Sequence, residues 1–134
     1  MIPAIVVGMR KGELLPEYDQ DIPPDFIDKV TKRADQTNAY RFGIAFDAKK
    51  TVEELANKGE EQIETFGTWQ HQCVSAIVRY GLMNDISVRV PKGFTFSVND
   101  FSLEDAVART CVGAYPYQLT EDKNFLYFIP KKTD

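Results

Sequence analysis

Two periods of apolar and polar residues run along this chain, and the points where one gives way to the other mark its elements. Tyr40, Phe42, Ile44 and Phe46 alternate with Arg41, Gly43, Ala45 and Asp47, which predicts a strand with one apolar face. Ile86, Val88 and Val90 alternate with Ser87 and Arg89 in the same way. Pro91, Lys92 and Gly93 then have the length of a hairpin turn, with Phe94, Phe96 and Val98 as the return strand. A last hairpin joins Tyr115–Leu119 to Phe125–Ile129 across the polar turn Glu121–Asn124, and Pro130 stops its ladder.

Helical spacing appears three times. Pro24 and Asp25 suit a first turn, and Phe26, Ile27, Val30 and Ala34 follow on one face, with Lys32 and Arg33 toward the negative end of the dipole. Thr51 and Glu54 form a capping box, so a helix is expected from Val52. Its apolar positions run Val52, Ala56, Ile63, Phe66, Cys73, Ile77 and Tyr80, with Gly59, Gly67 and Gln70 weakening the seam. One long bent helix or two helices broken near Gly67 both fit, ending at Gly81 in a left-handed position. Ser102 and Asp105 repeat the cap pattern before Leu103, Ala106, Val107, Thr110 and Cys111, and Gly113 closes that helix.

The amino end is less periodic. Ile2 to Met9 is an apolar run headed by a proline, read as an edge strand or an arm packed on another surface. Lys11 to Pro24 gathers Gly12, Pro16, Pro23 and Pro24 among acidic residues, an extended connector and the best internal boundary. The organisation expected is therefore an arm and connector over residues 1–24, then a single α+β domain over residues 25–134.

Composition narrows the function classes. With 43% hydrophobic and 12% aromatic residues in 134, the chain can bury one core without metal or a disulfide framework. The 16 basic and 20 acidic residues are interspersed and the net charge is −4, so no basic face is evident and nucleic acid is not expected as a partner. No apolar run has the length of a membrane span, and Ile2–Val7 is too short and lacks the basic flank of a signal peptide.

Catalytic chemistry is sparse. Cys73 and Cys111 read as small buried hydrophobes, or as one bridge worth about 3 to 4 kcal/mol. His71, the single histidine, stands two residues from Cys73, which puts the pair on different faces of a helix; Cys111 with His71 is the remaining thiol pairing. Glu53-Glu54, Glu60-Glu61 and Glu104-Asp105 are sequence neighbours expected on solvated helix faces, with two of the six committed to caps. No phosphate-loop spacing of glycines occurs. No enzyme, no cofactor and no metal site is expected.

The segment from Trp69 to Lys131 resembles the secretin and TonB short N-terminal domain, the N0-like module of secretins and of related lipoproteins in type IV secretion and conjugative pilus machines. The likeness is carried by Ala76–Leu82 leading to Ile86-Ser87-Val88, by Phe94–Ala106, by Gly113–Tyr117 and by Asn124–Ile129. It implies a small mixed sheet with two main helices over residues 69–131, preceded here by the arm, a short helix and a strand. It also implies a non-enzymatic assembly module of a cell-envelope complex, periplasmic, whose partners are other protein subunits, copies of itself included. The alternative is a cytosolic or virus-encoded inhibitor or structural subunit. Contact residues expected on this reading are Tyr115, Tyr117, Phe125 and Tyr127, because aromatics supply much of the energy at interfaces, although alternation assigns about half of such residues to the core.

Overall fold

The apolar run near the amino end forms the middle of a sheet rather than its margin. The computed structural model describes residues 1–10, 13–14, 22–68, 73–96, 102–111 and 113–131. In chain order its elements are β1 (Ala4–Val7), β2 (Met9–Arg10), β3 (Glu13–Leu14), α1 (Pro24–Thr37), β4 (Tyr40–Phe42), a 3-10 turn (Ala45–Ala48) and α2 (Lys49–Asn57). They continue with β5 (Gln62–Thr68), α3 (Ser75–Met83), β6 (Ser87–Pro91), β7 (Thr95–Phe96), α4 (Leu103–Thr110), β8 (Tyr117–Glu121) and β9 (Phe125–Pro130). The fold is α+β with a mixed seven-stranded sheet in the order β4-β1-β5-β6-β9-β8, β7 lying beside β5; β2 and β3 form a separate antiparallel pair. Strands β4, β1, β5 and β6 are parallel, and β9 and β8 complete the sheet antiparallel. None of the described helices is long and apolar enough to cross a membrane.

Two apolar layers hold the sheet. On one face Ile5, Val7, Ile63, Val88, Val90 and Phe128 pack with Val52 and Leu55 of α2, Ile77 and Val78 of α3, and Leu103 and Val107 of α4. On the other, Ala4, Val6 and Phe66 pack under Val30 and Ala34 of α1. Because β1 serves both layers, its four residues are at most 2% exposed, and the expected edge strand or arm at Ile2–Met9 is corrected: β1 pairs with β4 on one side and β5 on the other. A parallel strand buried on both faces reads as an unbroken apolar run, which periodicity alone cannot place. Part of the expected connector, Glu13–Leu14, is β3, and residues 15–21 lie outside the described residues.

Three further expectations change. The helical seam from Val52 to Tyr80 is interrupted by β5: Gly67 takes φ +118° within it, and any Cβ there would run into the Val7 carbonyl of β1. The stretch Pro91–Gly93 is not a hairpin turn. Gln62–Glu64 of β5 pair with Ser87–Arg89, and Gly67–Thr68 pair with Thr95–Phe96 in the same parallel sense, so β6 and β7 are two pieces of one line of chain with three residues looped out between them. Alternation is the same on either side of a reversal or of a loop-out, so the pattern does not distinguish them. Finally, the 3-10 turn feeds α2 directly, placing Thr51 inside the helix with Ala48 at its N-cap and no side-chain cap.

The strand expected over Tyr40–Asp47 stops at Phe42, and Ala45–Ala48 turns as a 3-10 helix that leaves Ile44 and Phe46 exposed and buries Ala45. The ends of α1 and α4 follow the sequence more closely. Helix α1 starts at Pro24 and runs past Ala34 to Thr37, where Asn38, at φ 50°, turns its N–H to the Ala34 and Asp35 carbonyls. Its last turn carries no basic residue, so Lys32 and Arg33 do not serve its dipole as expected. Ser102 Oγ accepts the Asp105 N–H at 3.1 Å and caps α4. Gly81 lies within α3, where a Cβ would meet the Val88 side chain, and Asp85, at φ 60°, makes the left-handed turn instead. Both cysteines are free thiols, Cys111 buried and Cys73 half-buried.

Candidate functional site

One row of the sheet carries the polar chemistry. The registers Ala4↔Glu64, Glu64↔Arg89, Arg89↔Tyr127 and Tyr127↔Thr120 align five strands, with these side chains on the face that α1 packs against. Glu64 is 1% exposed. It accepts from Arg33 Nε at 2.7 Å and Arg33 Nη2 at 2.8 Å, and from Arg89 Nε at 3.0 Å. A buried carboxylate needs such pairing to be tolerated, and a forked guanidinium supplies it with fixed geometry. Helix α1 thus reaches across the sheet through Arg33.

Aromatic rings surround the two guanidiniums. Arg33 lies 5.0 Å from the Phe94 ring, 5.6 Å from Phe125 and 5.8 Å from Phe66, and Arg89 lies 4.3 Å from Phe125. Lys29 sits 4.4 Å over Phe94. These are cation–π distances, so the rings both order the cations and keep water from them. Between α1 and the β8–β9 turn the cluster opens into a groove of about 280 Å3 lined by Arg33, Lys92, Phe94, Lys123, Asn124 and Phe125, with Pro91 at its wall.

The hairpin beside the groove is built by its turn. Asp122 Oδ1 accepts the N–H groups of Asn124 and Phe125 at 2.8 Å, and Oδ2 accepts the Tyr127 hydroxyl at 2.6 Å. These bonds, that from Tyr127 foremost, hold the Asp122 carboxyl below its ordinary range, and the same bond raises the Tyr127 phenol. Because Asp122 N–H bonds the Phe125 carbonyl and Lys131 N–H the Pro116 carbonyl, the even-numbered residues of β8 face β9. The N–H and carbonyl groups of Tyr117, Leu119 and Glu121 therefore point out of the sheet edge. Pro130 opposes Tyr117 at a non-bonded position, where its missing N–H is not needed by β8.

The four expected contact residues divide between the faces. Phe125 and Tyr127 are half-buried on the α1 side, their rings 5.9 Å apart. Tyr115 and Tyr117 pack against the opposite core, Tyr117 lying 5.6 Å from Phe128. Sequence reasoning missed Glu64, Arg33 and Arg89. The one available signal was an isolated glutamate between Ile63 and Phe66, which in a buried strand requires a cation from elsewhere.

Among the described residues the carboxylate candidates do not come together, and the Cys111–His71 pairing falls outside them. Burial pushes the Cys111 thiol up, against a smaller opposing pull from Arg79. Burial also raises the Tyr117 phenol, aided by Cys111 and Glu104. His71 lies outside the described residues. Glu60 and Glu61 stand in the link from α2 to β5 rather than on a helix, while Glu53, Glu54 and Asp105 are exposed. Among the described residues no group of three acidic, histidine or cysteine side chains converges as a metal site would.

The carboxyl ends of β1 and β5 mark the switch point of the parallel strands, since α1 follows β1 on one face and α3 follows β5 on the other. Thr68 there is fully buried, packed against Gly8, its hydroxyl without a hydrogen-bond partner among the described residues. In comparisons with known proteins, no family model, no curated protein and no solved structure matches this chain.

Proposed function

We propose that this protein is a non-enzymatic docking module that joins a larger protein assembly by offering the β8 edge to a strand of a neighbouring subunit. The observation that carries the reading is the edge itself. Tyr117, Leu119 and Glu121 turn outward three sets of backbone groups that have no partner among the described residues, Leu119 is 41% exposed, and β8 contains neither the lysine nor the proline that usually guards such an edge. Strand addition uses these groups directly, with main-chain bonds giving affinity and alternate side chains giving choice of partner. Phe125 and Tyr127 lie next to the edge as aromatic contacts for the same partner.

The setting proposed is a cell-envelope secretion or pilus complex. What supports it is the resemblance of residues 69–131; the chain order α3, β6, β7, Ser102-capped α4 and β8–β9 agrees with it, while β6 and β7 both lie along β5 in place of the expected hairpin. Cys111 is poorly suited to act as a nucleophile, because burial raises its thiol and leaves little thiolate at neutral pH.

The test compares the wild-type chain with Leu119→Pro, which removes one outward N–H and leaves the hairpin bonds in place. Sedimentation across a concentration series reports self-association, and capture from envelope fractions reports other subunits. The reading expects an association that Leu119→Pro abolishes at unchanged thermal stability. Association that survives in the variant, or a wild-type chain that stays monomeric and captures nothing, refutes it.

A further inference from the structure

We propose that the groove between α1 and the β8–β9 turn is a binding site for a phosphate monoester. All three charged residues that line it are cations, Arg33, Lys92 and Lys123. In the wider cluster Lys29, Arg33, Arg89, Lys92 and Lys123 face Glu64, Glu121 and Asp122, an excess of two positive charges in a chain whose net charge is −4. A local field of sign opposite to the whole molecule concentrates anions at that spot.

Arg33 is prepared for a second anion. Glu64 engages its Nε and Nη2 from inside the protein, and the rings of Phe66, Phe94 and Phe125 fix the plane of the guanidinium. Its Nη1 has no hydrogen bond among the described residues and Arg33 lines the groove, so the arginine can bridge a buried carboxylate and an external anion with little ordering left to do on binding. Lys92 is paired with Glu121, but that pair is 38% and 61% exposed and of the kind worth little, so Lys92 can be drawn to a stronger anion. Lys123 has no ion pair among the described residues.

The ligand class follows from number and size. Three separate donors match a dianion with three acceptor oxygens, whereas one carboxylate would leave the lysines unmatched. A volume of about 280 Å3 lies just below the range of drug-sized pockets, which fits a small ester rather than a polymer. Phe94 and Phe125 supply apolar wall for whatever the phosphate is attached to.

The experiment is a titration of the full chain followed by amide resonances, using inorganic phosphate, adenosine monophosphate and O-phosphoserine against chloride at matched ionic strength. Saturable shifts at Lys92, Phe94, Asn124 and Phe125 are expected, with Lys123→Gln weakening binding about tenfold and Lys92→Gln/Lys123→Gln more. Both variants change exposed side chains, and thermal melting checks that they fold as the wild type does. Tighter binding of either ester than of inorganic phosphate supports the site and tells a nucleotide from a phosphorylated side chain. Shifts that do not saturate, that lie elsewhere, that chloride reproduces, or that survive Lys123→Gln unchanged overturn it. Leu119→Pro leaves these shifts intact, which separates this site from the β8 edge.

Discussion

The same face of the sheet is built in two ways. Under α1, the inward positions of β1 and β5 are Ala4, Val6 and Phe66, each at most 2% exposed. Beyond β5, where none of the described helices packs, the matching positions are Ser87 and Arg89 on β6, Phe125, Tyr127 and Ile129 on β9, and Gln118 and Thr120 on β8, all half-buried or exposed. Glu64 marks the boundary, because β5 lies beneath the last cover that α1 gives. The difference teaches that burial here is set by helix placement and not by strand order, and that a charge can be buried at the margin of a helix when the helix supplies its partner.

Substitutions ordered along that boundary can break or sharpen this contrast. Phe66→Ala, on the covered side, is expected to cost about 3 to 5 kcal/mol, measured by urea unfolding. Glu64→Gln removes the carboxylate that Arg33 and Arg89 share, and with both guanidiniums only partly exposed a loss of about 3 kcal/mol is expected. If Glu64→Gln were neutral, the seam would be a surface ion pair and the contrast would fail. Leu119→Pro, at the outer edge, should shift stability by about 0.5 kcal/mol or less, because the N–H it removes has no partner within the sheet.

The smallest effect is a pH dependence at the hairpin turn. Asp122 is held below its ordinary pKa, so the stability it contributes is present above the usual carboxylate range and is lost as pH falls through the lowered value. Tyr127 is raised, so its contribution is present below the usual phenol range and is lost as pH rises through the raised value. Tyr127→Phe should remove the share of the alkaline loss that Tyr127 carries, leaving that of Tyr117, and move Asp122 part of the way back up, since the Asn124 and Phe125 amides remain. A carboxyl-carbon titration of Asp122 by NMR measures this.

Local signals were legible where one element decided them. Ser102, Pro24 and the Glu121–Asn124 turn each act within a few residues, and α1, α4 and the last hairpin stand where their patterns place them. The fold's centre was not legible for the opposite reason. In β5, Ile63, Glu64, Thr65, Phe66, Gly67 and Thr68 are all buried, so no alternation survives, and the spacing of Ile63 to Phe66 imitates a helix. Asymmetry between the faces of the β8–β9 hairpin was equally hidden: Tyr117 and Tyr127 look alike in sequence, but register assigns one to the core and the other to the open face. The groove depends on Arg33, Lys92 and Lys123, residues that only the tertiary fold brings together.

The ladder from Arg33 through Glu64 to Arg89 has one more consequence. One carboxylate between two guanidiniums leaves a surplus positive charge, and arginine keeps its proton throughout the physiological range. That surplus cannot be switched off by acidity in the cell. If the proposed groove holds a phosphate ester, which gains its second charge at about pH 6, the pH dependence of binding would follow the ester's own titration and not that of the guanidiniums.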